Sequence, residues 1–136
     1  MKFNSQICTT REQSERLIAL GLKKETADMV HIYLNQWDGW YVRPLDVDES
    51  IHHMEIPAWS LHRLWELLGK IKKYEGEDEL SYPRISLVEE DVIVENPKSL
   101  WVRQSFISPK GVYENIINCL EDLIKRGYFN KEYLEK

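Results

Sequence analysis

The sequence predicts an α+β fold in which a small, mostly antiparallel sheet packs against three helices. Three segments show apolar residues at helical spacing and each ends at a glycine, which predicts helices over residues 11–20, Leu61–Leu68 and Val112–Arg126. Short runs of β-branched and aromatic residues lie between the helices and predict strands. The later runs follow one another too closely for a crossover helix, so they should pair antiparallel. The length of 136 residues suits a single domain, 1–136.

The first predicted helix carries signals at both ends. Two pairs with the spacing of a capping box precede it, Thr9 with Glu12 and Thr10 with Gln13. Gly21 is typical of the left-handed residue that follows a helix. Leu22 could then fold back on Leu17 in a Schellman motif.

A β-hairpin is predicted next. Residues 29–34 are rich in β-branched and aromatic side chains, which favours a strand. Asp38 and Gly39 are typical of a two-residue turn, in which both central residues take positive φ. This turn would place Trp37 opposite Trp40 and lead into a second strand.

The middle of the chain is predicted to be irregular apart from one helix. Residues 45–55 are polar and indicate a loop, and Ile56-Pro57 indicates the entry into the second helix. The apolar stripe predicted for this helix is Leu61, Leu64, Trp65 and Leu68. Residues 70–79 are a charged connection. Short strands are then predicted over residues 84–88, 92–95 and 100–104.

The last helix has the strongest signals. Ser108 is predicted as its N-cap and Pro109 as its first residue. Lys125 and Arg126 lie where the helix dipole favours positive charge. The predicted buried stripe is Val112, Ile116, Ile117, Leu120, Leu123 and Ile124.

Composition excludes several classes of function. A net charge of -5 disfavours a general affinity for nucleic acid, which needs clustered Lys and Arg. No apolar run approaches the length that spans a membrane, and residues 1–6 lack the apolar core of a signal peptide. The two cysteines, Cys8 and Cys119, are too few for a disulfide framework and indicate reduced thiols. These features together predict a cytoplasmic protein.

Four segments resemble a family of small uncharacterised proteins from gut bacteria of the Bacteroides type and their prophages and mobile elements. They are residues 10–22, residues 26–29 (Thr-Ala-Asp-Met), residues 56–68 with their Pro-Ala-Trp-Ser piece, and the closing helix that ends Arg-Gly-Tyr-Phe. The resemblance spans most of the chain, but residues 35–55 show no match. It implies no activity, so no catalytic or binding residue is carried over.

The residues that catalysis or metal binding would need form only weak patterns. None of the glycines has the spacing of a phosphate-binding loop. His53 with Glu55 and His62 with Glu66 are possible ligand pairs, but neither has a defined third ligand. The acidic side chains of residues 46–49 lie in a predicted loop, where carboxylates are common. We therefore predict no catalytic residue, no metal and no cofactor.

The tryptophans divide into two groups. Those that sit in apolar patterns and are predicted to lie in the core are Trp59, Trp65 and Trp101. Trp37, Trp40 and Tyr41 cluster at the predicted hairpin, with Arg43 nearby. Two interpretations stay open. The aromatic side chains could stabilise the hairpin as cross-strand pairs, or the four residues could form a binding patch for a peptide, a base or a sugar ring.

These observations lead to one leading hypothesis and two alternatives. The leading hypothesis is a non-catalytic accessory or protein-interaction module associated with a mobile element or prophage, with its contact surface at residues 37–43. The first alternative is an acidic immunity or inhibitor protein that binds a basic partner through residues 46–49 and 75–79. The second is a metal-dependent hydrolase that uses His53, Glu55 and a loop carboxylate. The sequence gives no prediction of the oligomeric state.

Overall fold

The computed structural model describes residues 6–46, 51, 54–69, 82–85, 92–95, 102–106 and 109–135. The chain divides into two compact units, residues 1–64 with 134–136 and residues 65–133. Across the described ranges the chain forms three α-helices and two three-stranded antiparallel sheets. The predicted α+β class is therefore confirmed. The single domain 1–136 stays a prediction.

Helix α1 spans Arg11–Ala19, and both of its ends are as the sequence predicts. Of the two possible capping boxes, Thr10 with Gln13 forms: the Gln13 N–H donates to Thr10 Oγ1, and the Thr10 N–H donates to Gln13 Oε1. At the other end Gly21 has φ +99°. The Leu22 N–H donates to the Leu17 carbonyl at 3.1 Å, which is the Schellman bond, and both leucines are buried.

The first sheet has the strand order β2-β1-β3, where β1 is Met29–Leu34, β2 is Gly39–Pro44 and β3 is Ile56–Ala58. Strand β3 is absent from the predicted elements, because Ile56-Pro57 indicates the entry into a helix. It pairs antiparallel with β1, and Pro57 lies opposite Val30. Both are buried. The apolar residues before the second helix therefore complete a sheet before that helix begins.

The hydrogen-bonding pattern of this sheet explains why proline is tolerated in β3. The Leu45 N–H donates to the Asp28 carbonyl at 2.9 Å, so residues 28 and 45 form a hydrogen-bonded pair next to Met29 and Pro44. Because such pairs alternate along an antiparallel ladder, even-numbered residues of β1 bond to β2 and odd-numbered residues bond to β3. Pro57 faces an even-numbered residue. Its nitrogen therefore points to the outer edge, where no N–H is needed.

Helix α2 spans Leu61–Leu68, as predicted, and Ser60 caps it by accepting the Arg63 N–H at 3.1 Å. The predicted stripe is only partly right. Leu64 and Leu68 are fully buried, but Trp65 is 38% exposed. Leu67 is buried instead, which rotates the buried face of the helix by about 60°, or a sixth of a turn, from the predicted one.

The second sheet has the order β4-β5-β6. Its strands are β4 at Tyr82–Ile85, β5 at Val92–Glu95 and β6 at Val102–Phe106, and both pairings are antiparallel. The middle strand has the predicted bounds. Strand β4 starts two residues and ends three residues before the predicted strand, and β6 lies two residues after the predicted one. A register shift between Val94 and Glu95 accommodates the pairing with β6.

Helix α3 spans Val112–Arg126, and its start differs from the prediction. Pro109 lies in a turn before the helix, and Gly111, with φ +102°, is the N-cap. The predicted cap Ser108 lies outside the described residues. Most of the predicted stripe is confirmed, since Ile116, Ile117, Leu120 and Leu123 are fully buried. Lys125 and Arg126 pair with carboxylates one turn earlier, at 2.8 and 3.0 Å.

The cysteines and two of the three predicted core tryptophans can be compared with the structure. Cys8 and Cys119 are free thiols, and both are buried. Trp59 is fully buried, as predicted, whereas the prediction for Trp65 is wrong. Trp101 lies outside the described residues. Within the part of the chain that is described, no helix is both long and apolar enough to cross a membrane.

Candidate functional site

The predicted hairpin forms, but its turn is longer than two residues. A single 3-10 turn at Asn35–Trp37 and the following Asp38 connect β1 to β2. Asp38 has φ +46°, while Gly39 is not in the positive-φ region and belongs to β2. The predicted two-residue Asp-Gly turn is therefore wrong. The left-handed conformation falls on one aspartate, a residue type that tolerates it.

The longer turn changes which aromatic residues face each other. Trp40 lies opposite Tyr33 across the two strands, and Leu34 lies opposite Gly39. The prediction that Trp37 faces Trp40 is wrong for this reason. Trp37 lies in the turn and contacts Tyr41 instead, with ring centroids 5.0 Å apart and planes at 70°.

The four aromatic side chains form two edge-to-face pairs on opposite faces of the hairpin. Trp40 and Tyr33 form one pair, with centroids 5.5 Å apart. Trp37 and Tyr41 form the other. Because successive residues of a strand point to opposite faces, Trp40 and its neighbour Tyr41 must diverge. Arg43 shares the face of Tyr41. We call residues Tyr33, Trp37, Trp40, Tyr41 and Arg43 the hairpin surface.

The hairpin surface holds large apolar area in contact with solvent. Trp37 is 60% exposed, Tyr33 and Tyr41 are 42% exposed and Trp40 is 37% exposed. Each edge-to-face pair contributes roughly 0.5–1.5 kcal/mol beyond simple burial. The rings are therefore held in place by each other before any ligand arrives. Rigid aromatic side chains of this kind lose little conformational entropy on binding.

Two polar contacts hold the same surface in place. The Tyr33 hydroxyl donates to Asp38 Oδ1, which ties the strand to the turn and raises the pKa of Tyr33. On the same face the Arg11 guanidinium lies 4.4 Å from the centre of the Trp40 ring, a cation–π contact. Arg11 also lines a surface depression of about 460 Å³ together with Thr10, Glu12 and Glu15. Its mixed charges favour no ligand of a single sign.

Sequence reasoning identified four of the five residues of the hairpin surface and missed Tyr33 and the supporting Arg11. The signal for Tyr33 was present. A four-residue connection, with Asp38 alone in the left-handed region, places residue 33 opposite residue 40. The contact of Arg11 has no sequence signal, because α1 and β2 are far apart in the chain.

A second candidate site is a buried hydrogen-bond network in the same unit. Ser60 donates to Asp28 through its N–H at 2.8 Å and through its hydroxyl at 2.5 Å. The Trp59 indole N–H donates to Thr26 Oγ1 at 2.9 Å. Residues 26–28 are thus bonded to residues 59–60, about thirty positions later.

The segment before α1 completes the network. Two hydrogen bonds join Thr9 to Trp59. The Thr9 N–H donates to the Trp59 carbonyl at 2.9 Å, and the Trp59 N–H donates to the side-chain Oγ1 of Thr9 at 3.1 Å. The Thr9 hydroxyl also bonds to Ser14 at 2.7 Å. His31 Nε2 lies 2.8 Å from the Thr9 carbonyl oxygen. The network therefore joins α1, β1 and the start of α2 within one unit.

This network contains residue types that also occur in catalytic sites, but its arrangement is that of a structural element. A cysteine nucleophile needs a lowered thiol pKa, whereas burial, together with the charge of Asp28, raises the pKa of Cys8 to about 11. Both Asp28 oxygens accept hydrogen bonds from Ser60, and His31 Nε2 bonds to a backbone carbonyl. The polar groups satisfy each other and fix the chain in place.

The residues of the alternative hypotheses are mostly outside the described part of the chain. This holds for His53, for residues 47–49 and for residues 75–79. His62 and Glu66 are both exposed on α2. Among the described residues, no three His, Cys, Asp or Glu side chains are grouped so that they could hold a metal ion.

Comparisons with known proteins add no assignment to this geometry. The resemblance to the Bacteroides-type family stays a prediction. Residues 10–14, 26–29 and 56–61, on which it depends, are joined within the buried network, the first of them through Thr9. No family model, curated protein or solved structure matches this chain.

Proposed function

We propose that the chain is a non-catalytic protein-interaction module of the cytoplasm, that it belongs to a mobile element or prophage, and that it binds its partner through the hairpin surface. The observation that carries this proposal is the exposure of four ordered aromatic rings at one end of a hairpin, with Trp37 at 60%. Large exposed aromatic patches are uncommon on proteins that act alone. Trp, Tyr and Arg are the residue types that dominate binding hot spots.

The two faces of the hairpin surface have different parts in this proposal. The face with Trp37, Tyr41 and Arg43 presents an aromatic pair beside a guanidinium, which suits a partner that offers an apolar side chain next to a carboxylate. The opposite face, with Trp40 and Tyr33, is supported by Arg11. It contributes mainly to the rigidity of the hairpin. Trp37 is therefore the residue whose loss should matter most for binding.

The buried network supports a non-catalytic role for the remainder of this unit. Its polar side chains are used to join three segments of the chain, and the pKa of its only thiol is raised rather than lowered. The resemblance of its marker segments to proteins of mobile elements supports the biological setting.

The test is affinity co-purification with the tagged chain, followed by a direct titration of whichever protein is retained. We expect Trp37→Ser to weaken binding by roughly 30-fold, since a hot-spot tryptophan contributes about 2 kcal/mol or more. Its free energy of unfolding should fall by no more than about 0.5–1.5 kcal/mol, the contribution of the lost Trp37–Tyr41 pair, so the variant stays folded in the binding assay. The matched control is Trp65→Ser, which removes an exposed tryptophan on α2 and should leave binding intact.

Two results would refute the proposal. One is a Trp37→Ser variant that keeps its full affinity for the partner. The other is equal loss of binding in Trp37→Ser and Trp65→Ser, because the effect would then not be specific to the hairpin surface.

A further inference from the structure

The first sheet has two outer edges, and they differ in what they offer to another strand. In β3 only Pro57 directs its backbone groups outward, and proline has no N–H, so this edge presents a carbonyl and no donor. In β2 the hydrogen-bonded pairs alternate from Leu45 onward, so the backbone N–H and C=O groups of residues 39, 41 and 43 face β1. Residues 40 and 42 therefore point their N–H and C=O groups away from the sheet.

The outer edge of β2 is a site where an extended strand can add. Among the described residues, β2 pairs only with β1. Its outward groups are two N–H and two C=O groups, from Trp40 and Val42. The carbonyl of Pro44, which follows them, accepts from Arg43 Nη1 at 3.1 Å. Proteins usually protect such edges with charge or proline. Here proline stands only at the end of the strand, and Arg43 is the one charged residue of β2.

We infer that β2 pairs with β2 of a second copy of this chain, in an antiparallel register that sets Tyr41 opposite Tyr41 across a two-fold axis. This inference goes beyond the proposed function, because the second copy pairs with the backbone edge of β2, whereas the proposed protein partner binds the side chains of the hairpin surface. In this register Trp40 lies opposite Val42 of the second copy, twice by symmetry. Each of these pairs exchanges two hydrogen bonds, so the edge makes four.

The side chains are complementary in the same register. Tyr–Tyr and Trp–Val are aromatic and aromatic–β-branched cross-strand pairs, which are among the favourable types, each contributing about 0.2–1 kcal/mol. Arg43 lies opposite Gly39 of the second copy and one residue from its Asp38. The two-fold axis repeats this proximity of opposite charges at the other end. Two Arg43 side chains never face each other.

The two faces of the sheet are also compatible with this pairing. A two-fold axis perpendicular to the sheet keeps each face on its own side, so Trp37, Tyr41 and Arg43 of both copies line one continuous surface. The first sheet of one copy and the first sheet of the other then form a single sheet of six strands. Its outer edges are then both β3, the edge closed by Pro57.

A cysteine pair tests the register directly in the full-length chain. Tyr41 would form a non-hydrogen-bonded pair, with Cα atoms about 4.5 Å apart, so Tyr41→Cys should form a disulfide-linked dimer under mild oxidation. The matched control is Trp40→Cys. Its two copies would be diagonal neighbours about 7–8 Å apart, too far for a disulfide. The native thiols are buried with raised pKa values and should not compete.

A proline substitution tests the hydrogen bonds of the same edge. Val42→Pro removes an outward N–H that β1 does not use, so the hairpin should persist while sedimentation equilibrium shows dimerisation weakened by roughly 30-fold. Val42→Thr keeps the N–H and should dimerise like the wild type. Thermal unfolding of each variant checks the fold. If Val42→Pro fails to fold, the cross-linking of Tyr41→Cys compared with Trp40→Cys still tests the inferred pairing.

The inference is overturned if the purified wild-type chain is monomeric from micromolar to millimolar concentration, or if Trp40→Cys cross-links as well as Tyr41→Cys. A dimer that Val42→Pro leaves intact would overturn it too, because another surface would then hold the copies together. These results leave the proposed function standing, since loss of a different protein partner in Trp37→Ser is measured independently of the oligomeric state.

Discussion

The conformation of Gly39 separates the observed hairpin from the one that the Asp-Gly dipeptide predicts. In a two-residue turn the glycine takes positive φ, and alanine there would be strained by about 1–2 kcal/mol. In the structure Gly39 is outside the positive-φ region. A Cβ added to it would lie 3.7 Å from the Trp37 carbonyl oxygen and 3.7 Å from the Tyr41 ring, which is ordinary van der Waals contact.

We therefore expect Gly39→Ala to leave the free energy of unfolding unchanged or to raise it by up to about 1 kcal/mol. The gain comes from the unfolded chain, whose backbone entropy falls when glycine is replaced at a compatible position. Gly21→Ala is the contrasting variant. Its Cβ would meet nothing within 4 Å, but its φ of +99° makes the substitution cost about 1–2 kcal/mol from backbone strain alone.

Urea unfolding followed by tryptophan fluorescence measures both changes. Gly127→Ala, at φ +77° in the second unit, serves as a further strained control. The reasoning would be refuted if Gly39→Ala destabilised the protein as much as Gly21→Ala. That outcome would mean that the turn contains Asp38 and Gly39 as its two central residues, with a different set of aromatic pairs.

Three more predictions concern the buried network and its surroundings. Asp28→Ala leaves the Ser60 N–H and hydroxyl without their acceptor. Because hydrogen bonds to a charged group are stronger than those between neutral groups, the free energy of unfolding in urea titrations should fall by about 2–3 kcal/mol. An unchanged midpoint would show that water replaces the carboxylate. Trp59→Phe loses the indole bond to Thr26 and ring volume in a fully buried site, and should cost about 2–3 kcal/mol by the same titration. Burial raises the pKa of Cys8 to about 11, so the folded state keeps a proton that the unfolded state loses near pH 9. The contribution of this thiol to the free energy of unfolding is therefore complete below about pH 9 and declines from there toward pH 11. Cys8→Ala should make the unfolding midpoint depend less steeply on pH in that range. An equally steep profile would contradict the assignment.

Local signals in the sequence predict helix ends well where the residues act on their own backbone. The capping box at Thr10 and the Schellman motif at Gly21 need only neighbouring residues, and both form as predicted. The start of α3 shows the limit of this reasoning. Ser108-Pro109 has good N-terminal chemistry, yet the positive φ of Gly111 sets the helix start three residues later than Pro109.

Features that depend on distant segments could not be predicted. Strand β3 has only three residues and contains a proline, so its pattern shows no alternation, and only its pairing with β1 reveals it. The exposure of Trp65 is of the same kind, since helical periodicity allows more than one buried face. For the candidate site, sequence reasoning found the aromatic cluster and Arg43. The division of the cluster between two faces depends on a register that the turn length decides.

Pro57 has one more consequence, which concerns how far any strand addition can proceed. With one edge able to accept a neighbour and the other lacking a donor, assembly through this sheet ends after a single pairing event, and neither fibres nor larger polymers can grow from it. Pro57→Val would restore the missing donor without removing any bond to β1. The dimer would then have a second sheet edge that can accept a strand, and an increase in turbidity as the protein is concentrated would show the formation of larger assemblies.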